Sequence, residues 1–167
     1  YPKIVAIKEA SGSVDRVSEL VRRAPDGFSV LSGDDSLTLP FLSVGAVGVV
    51  SVVSNLFPRE VCQLVSCFLE GHLEEARQLH RKFFHLFKDI FLEPNPVPAK
   101  TALAWRGMMS KDVRLPLSEM SKANAERLRQ TLDGLEESLG ALHTREIDLN
   151  VFGGAPKAAG EAPTLPG

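Results

Sequence analysis

Short apolar runs alternate with helix-spaced apolar positions along the first third of the chain. The runs at residues 4–7 and 48–53 are rich in β-branched side chains. These two runs and a third at residues 28–31 are bounded by glycine, serine or proline, which predicts three strands. Between them, residues 13–24 and 35–44 place apolar side chains on one face of a helix. Strand, helix and strand at this pitch indicates parallel βαβ units, and unbroken apolar strands predict a sheet covered on both faces.

Helical spacing continues through the later part of the chain, where glycine and proline interrupt it. The helix predicted at residues 72–91 carries Phe84 and Phe91 beside its apolar stripe, so we expect this helix to be covered on more than one side. A proline-rich segment at residues 93–98 predicts a rigid, extended break. The later helices are predicted at residues 58–69, at residues 72–91, in a short stretch ending at Trp105, and at residues 118–142.

These elements predict three regions. Residues 1–57 hold the strands, residues 58–142 are helical, and residues 143–167 are rich in Ala, Gly and Pro without periodicity, which predicts a flexible tail. The 167 residues, 44% of them hydrophobic, are typical of one globular domain. Three strands cannot close a parallel barrel, which needs roughly 250 residues. Taken by itself, the pattern therefore predicts a small open α/β sheet followed by helices.

Charge and composition argue against several classes of partner. The formal net charge of −2 gives no electrostatic reason to bind nucleic acid or an anionic membrane, and no apolar run is long enough to span a bilayer. The two cysteines, Cys62 and Cys67, lack neighbours at metal-ligand spacing, and the four histidines form no cluster. We therefore expect no metal, and free thiols in a reducing cytoplasm.

A lysine at the end of the first predicted strand is the main candidate for chemistry. Lys8 follows the apolar run directly and precedes Glu9. The carboxyl ends of strands are where parallel α/β proteins bind ligands, and a dry site there would lower the pKa of a lysine. Lys8 is therefore a candidate amine nucleophile for a carbonyl group. The alternative is a lysine that extends its charge into solvent from a strand end.

The amino-acid sequences of three segments resemble those of one enzyme family. The segment I-x-x-I-K-E-A-S-G around Lys8 closely resembles the Schiff-base lysine segment of the dihydrodipicolinate synthase and N-acetylneuraminate lyase family. L-S-G-D-D at residues 31–35 and G-A-V-G-V-V-S at residues 45–51 resemble the ends of that family's seventh and eighth strands. The resemblance implies an α/β fold, namely the C-terminal half of a (β/α)8 TIM barrel with its last three parallel strands, followed by a C-terminal helical region.

The resemblance also implies a reaction. E-P-N-P-V-P-A-K at residues 93–100 resembles the dihydrodipicolinate synthase branch, whose members join pyruvate to aspartate semialdehyde in lysine and diaminopimelate biosynthesis. In that lyase chemistry Lys8 would form an imine with pyruvate, and the derived enamine would attack the aldehyde. Val50 would line the pyruvate pocket, and Gly33 would let the backbone approach the substrate. The family needs no metal and no cofactor for this step.

Several parts of the family site have no counterpart in the chain. The proton-relay tyrosine of a Y-N-x-P segment and a carboxylate-binding arginine lie upstream of the lysine in the family, and Tyr1 does not replace the former. The chain also lacks an initiator Met, so we expect it to be a fragment of a longer protein. Without the upstream residues, we expect this fragment to be inactive alone. The resemblance implies that the complete protein is a cytoplasmic homo-oligomer, a homotetramer in the family. The alternatives are another pyruvate-dependent 2-keto acid aldolase, such as an N-acetylneuraminate lyase relative, or a non-catalytic assembly module.

Overall fold

A computed structural model describes residues 1 and 3–143, with side chains up to residue 140. Its first elements are β1 (Ala6–Glu9), α1 (Val14–Arg23), β2 (Ser29–Ser32), α2 (Thr38–Ser43) and β3 (Gly48–Val49). The three strands form one parallel sheet in the order β1-β2-β3. Helix α1 connects the first two strands, and α2 follows the second. The predicted parallel βαβ arrangement is confirmed.

Four helices complete the described chain. Their bounds are α3 (Pro58–Leu69), α4 (Leu73–Asp89), α5 (Val97–Trp105) and α6 (Lys122–His143). Each corresponds to a predicted helix, with ends that differ by a few residues. No helix among the described residues combines the length and apolar character that crossing a membrane requires. The predicted flexible tail, apart from helical His143, lies outside the described residues.

The strand boundaries differ from those that the apolar runs predicted. Strand β1 begins two residues later than expected, and Ile4 and Val5 are 60% and 61% exposed. Strand β3 ends at Val49, and Val53 lies instead in a 3-10 turn with its side chain fully buried. Strands β1 and β3 are the two edges of the described sheet, and helices α1 and α2 pack on one of its faces. Apolar β-branched residues mark both strands and buried loops, which is why the runs overestimated β3.

The hydrophobic core joins the sheet region to the helical region. Leu42 of α2 and Val53 pack in the same cluster as Phe83 of α4 and Leu128 of α6. A smaller cluster between the sheet and its first helices comprises Val17, Val30, Phe41 and Ala46. This packing holds the sheet region against the later helices. The division of the chain at residue 57 stays a prediction.

The proline-rich break between α4 and α5 carries a carboxylate that bonds to the start of α6. Glu93 accepts hydrogen bonds from the backbone N–H of Ser121 at 2.9 Å and from the side-chain amide of Asn124 at 2.9 Å. Both donors lie at the N-terminus of α6, where a negative charge also stabilises the helix dipole. These contacts are what a structural role for the segment at 93–100 predicts. Glu93 thus determines where the last helix begins.

Replacing Glu93 by glutamine is expected to destabilise the complete protein by about 1 kcal/mol near neutral pH. The hydrogen bonds from Asn124 and Ser121 hold the pKa of Glu93 below its ordinary value of 4.5. The folded state therefore binds fewer protons than the unfolded state, so this stability is present above pH 4.5 and is lost as the pH falls through the lowered pKa. Thermal melts from about pH 6 to pH 3 should show a gap between wild type and variant that closes on acidification. A constant gap would contradict this assignment.

Candidate active site

The three predicted site residues lie at the carboxyl edge of the sheet. Lys8 pairs in register with Leu31, and Leu31 pairs with Gly48, so the three strands end side by side. Beyond the regular ladder, Gly33 N–H donates to the Glu9 carbonyl at 2.7 Å, and Val50 N–H donates to the Ser32 carbonyl at 2.7 Å. The backbone at Gly33 is therefore held beside β1, which carries Lys8, and the backbone at Val50 is held beside β2.

Lys8 and Glu9 point to opposite faces, as strand alternation predicts. Glu9 is buried, and its carboxylate accepts a hydrogen bond from the Ser11 backbone at 2.6 Å. Hydrogen bonding from the Ser11 side chain and backbone, with a smaller contribution from Arg16, lowers the pKa of Glu9. The carboxylate is thus committed to the turn after β1. It does not pair with Lys8.

The Lys8 side chain is exposed and makes no hydrogen bond or ion pair with residues 1 and 3–143. The dry site that we predicted around it is not formed by these residues, because β1 is an edge strand of the sheet. Because no described side chain bonds to the Lys8 nitrogen, the described residues leave it free to contact a ligand.

Gly33 makes room for the Lys8 side chain. A Cβ atom at Gly33 would lie 2.8 Å from Lys8 Cε, 3.0 Å from Lys8 Cγ and 2.7 Å from Ala10 Cβ. Contacts this short do not occur between unstrained carbon atoms, so the lysine stem occupies the space that any other residue would fill. Glycine is needed here for space, and the Lys8 stem lies directly against the β2 turn.

Val50 is held through its backbone, and its side chain is 43% exposed. It follows β3 and precedes Ser51, whose hydroxyl bonds across to the turn after β2. The side chain is therefore free to contact a ligand at the carboxyl edge. Its assignment to a pyruvate pocket stays a prediction.

The two aspartates after Gly33 have separate structural roles. Asp34 caps the turn that leads into α2, and it accepts bonds from the backbone and hydroxyl of Ser36 at 3.2 Å and 3.0 Å. The carboxylate of Asp35 is 2% exposed and reaches the loop after β3, where the Ser51 hydroxyl donates to it. Sequence reasoning missed this contact. The only signal was the adjacency of two aspartates, which also fits a simple helix cap.

Other polar features lie away from Lys8. No group of three His, Cys, Asp or Glu side chains in the described part of the chain could hold a metal ion. Both cysteines are free, and burial, aided by Glu75 and Glu70, raises the pKa of the Cys67 thiol. Grooves of about 470 Å³ between α4 and α6 and about 620 Å³ beside α5 are not lined by the three site residues.

The parallel α/β sheet, with a lysine at its carboxyl edge, corresponds to part of a (β/α)8 TIM barrel, a fold that carries its active sites at this edge. The chain belongs to the dihydrodipicolinate synthetase family, whose model matches residues 1–135. It is similar to the 4-hydroxy-tetrahydrodipicolinate synthase of Aquifex aeolicus, with 52% identity over 129 residues that cover 77% of this chain and 44% of that protein.

Solved structures of the same family share the fold. The 4-hydroxy-tetrahydrodipicolinate synthase of Methylacidiphilum fumariolicum SolV is 58% identical with a TM-score of 0.81, covering 84% of this chain and 47% of that chain. The dihydrodipicolinate synthase of Acinetobacter baumannii, solved in complex with pyruvate, is 32% identical with a TM-score of 0.75 and covers 80% and 46%. The chain thus spans about half the length of the relatives it matches. The resemblance and the fold class predicted from the sequence are confirmed.

Proposed function

We propose that this chain is the lysine-bearing part of a 4-hydroxy-tetrahydrodipicolinate synthase, in which Lys8 forms a Schiff base with pyruvate. The observation that carries the proposal is the amine of Lys8, unpaired among the described residues and lying across Gly33 at the carboxyl edge of the sheet. The names of the similar proteins support the reaction, and the pyruvate complex of the Acinetobacter baumannii relative supports the first substrate.

The chemistry begins at the side-chain nitrogen of Lys8. The neutral amine adds to the ketone carbon of pyruvate, and water leaves to give an imine. The protonated imine withdraws electrons, so the methyl carbon loses a proton and becomes an enamine. That carbon attacks the aldehyde of aspartate semialdehyde, and the amine of the second substrate then displaces Lys8 as the ring closes. The covalent intermediate divides one difficult step into easier ones.

The chain supplies only part of such a site. It contributes the nucleophile, the space at Gly33 and the wall at Val50, whereas the proton relay of a Y-N-x-P segment would come from other residues of a complete enzyme. We expect this chain alone to have no synthase activity. The half-exposed rings of Phe84 and Phe91 on or beside α4 favour subunit contacts, so the complete enzyme is proposed as a cytoplasmic homo-oligomer.

Borohydride reduction tests the Schiff base. Incubating the complete enzyme with pyruvate and reducing it is expected to add one carboxyethyl group, which peptide mass spectrometry should locate at Lys8. Reduction without pyruvate is the control for unspecific modification. A pyruvate-dependent adduct on a different lysine, or none at all, would contradict the proposed function.

Two activity assays test to which branch of the family the complete enzyme belongs. Cleavage of N-acetylneuraminate and condensation of pyruvate with aspartate semialdehyde are measured on the same preparation. We expect condensation alone, because the similar proteins are named as synthases. Cleavage without condensation would favour the sialic acid lyase alternative, and an adduct-free, inactive protein would favour an assembly module.

A further inference from the structure

The carboxylate of Asp35 connects two loops that are distant in sequence. It accepts hydrogen bonds from the Ser51 hydroxyl, from the Val52 backbone N–H at 2.9 Å and from the Val53 backbone N–H at 3.4 Å. These donors lie sixteen to eighteen residues further along the chain, in the loop after β3. A buried carboxylate with several donors of this kind holds both partners in one arrangement.

The loop that Asp35 holds begins at Val50. On its strand side, Val50 is held by the bond from its own N–H to Ser32. On the other side, Ser51 is held by Asp35 and by the N–H of Ser54, which donates to the Ser51 hydroxyl at 2.8 Å. The backbone at Val50 is thus constrained from both neighbours, while its side chain remains exposed.

Asp35 also follows Gly33 by only two positions, and Gly33 lies against the Lys8 stem. One buried carboxylate therefore joins the turn that contacts the nucleophile to the loop that carries Val50. Both carboxylate oxygens of Asp35 take part, since the Ser51 hydroxyl donates to Oδ1 and the two N–H groups donate to Oδ2.

We propose that Asp35 is a positioning residue, which holds the Val50 backbone at the distance from Lys8 that the bound keto acid requires. This inference rests on the proposed function. Asp35 does not touch the substrate and acts through Ser51 and Val50. Loss of the Asp35 carboxylate therefore weakens the binding of pyruvate more than the binding of aspartate semialdehyde.

The test compares substitutions in the complete enzyme. For Asp35→Ala, the pyruvate concentration that gives half-maximal borohydride trapping at Lys8 is expected to rise by about tenfold. The KM for aspartate semialdehyde should change by less than about twofold. Asp35→Asn should stay within about threefold of wild type for pyruvate, because its amide oxygen can accept from the two N–H groups and its NH2 can donate to Ser51.

Asp89 provides a matched control for lost stability. It is 3% exposed and accepts three hydrogen bonds, two from Arg127 and one from Thr131, between α4 and α6. Asp89→Ala should lower the melting temperature comparably and leave pyruvate trapping unchanged. If Asp35→Ala does not fold, Ser51→Ala removes the hydroxyl that bonds to Asp35 and to the Ser54 N–H, keeps the two backbone bonds to Asp35, and should still raise the pyruvate concentration needed for half-maximal trapping.

The outcomes separate this inference from the proposed function. No pyruvate adduct at Lys8 in the wild type would overturn both. Normal trapping in the wild type, with Asp35→Ala behaving as Asp89→Ala, would overturn the positioning role alone. Equal losses in Asp35→Ala and Asp35→Asn would also overturn it, since the effect would then follow charge and not geometry.

Discussion

Replacing Lys8 by arginine is expected to abolish the pyruvate adduct and to lower synthase turnover of the complete enzyme by about a thousandfold or more. Arginine keeps the positive charge and much of the length of lysine. Its guanidinium stays protonated, however, and cannot attack a carbonyl carbon. Intact-protein mass spectrometry after borohydride reduction and a coupled assay of condensation measure the two effects.

Lys3→Arg is the matched control for this substitution. Lys3 is exposed and lies ahead of β1, so trapping and turnover should both stay at wild-type levels. If Lys8→Arg kept turnover within about tenfold of wild type, Lys8 would act by charge alone and not as a nucleophile. The melting temperature should be unaffected, because the Lys8 side chain is exposed and has no ionic partner in the described part of the chain.

Replacing Gly33 by alanine is expected to slow imine formation at Lys8 by about a hundredfold. The new methyl group would lie 2.8 Å from Lys8 Cε and 2.7 Å from Ala10 Cβ, so the lysine stem must move away from the β2 turn. Displacing a nucleophile by about 1 Å is enough for a loss of this size. The rate of borohydride trapping at saturating pyruvate measures it.

Two further variants identify the cause of that loss. Gly134→Ala in α6 adds a methyl group that meets nothing within 4 Å, so trapping should not change. It should instead stabilise the fold by roughly 0.5–1 kcal/mol. Ala10→Gly combined with Gly33→Ala relieves the contact with Ala10 and leaves the contact with Lys8. Recovery of the rate in this double variant would show that strand spacing, and not the lysine, was disturbed.

Local patterns predicted the first helix well. The helix predicted over residues 13–24 runs over Val14–Arg23, and the hydroxyl of Ser13 caps it by accepting a bond from the Arg16 backbone at 3.1 Å. Such caps depend on residues three positions apart, so the sequence contains all the information that they need. The same holds for Pro58, which begins α3 at a position where its missing N–H is harmless.

The aspartate pair shows where local reasoning fails. An aspartate at a strand end can accept hydrogen bonds from its own turn or from any loop that the fold brings near. Asp34 does the first and Asp35 does the second, although they are adjacent in sequence. The choice depends on the parallel packing of β2 and β3, which places the later loop beside the earlier turn.

The sequence by itself determined the order of strands and helices, the family of the chain, and Lys8 as the residue to examine, because periodicity and short motifs are local properties. Only the tertiary structure decided that the Lys8 stem lies across Gly33, that β3 stops at Val49, and that Asp35 holds the loop after Val50. These contacts join residues 16 to 25 positions apart, and they exist only once parallel strands bring the carboxyl edges together.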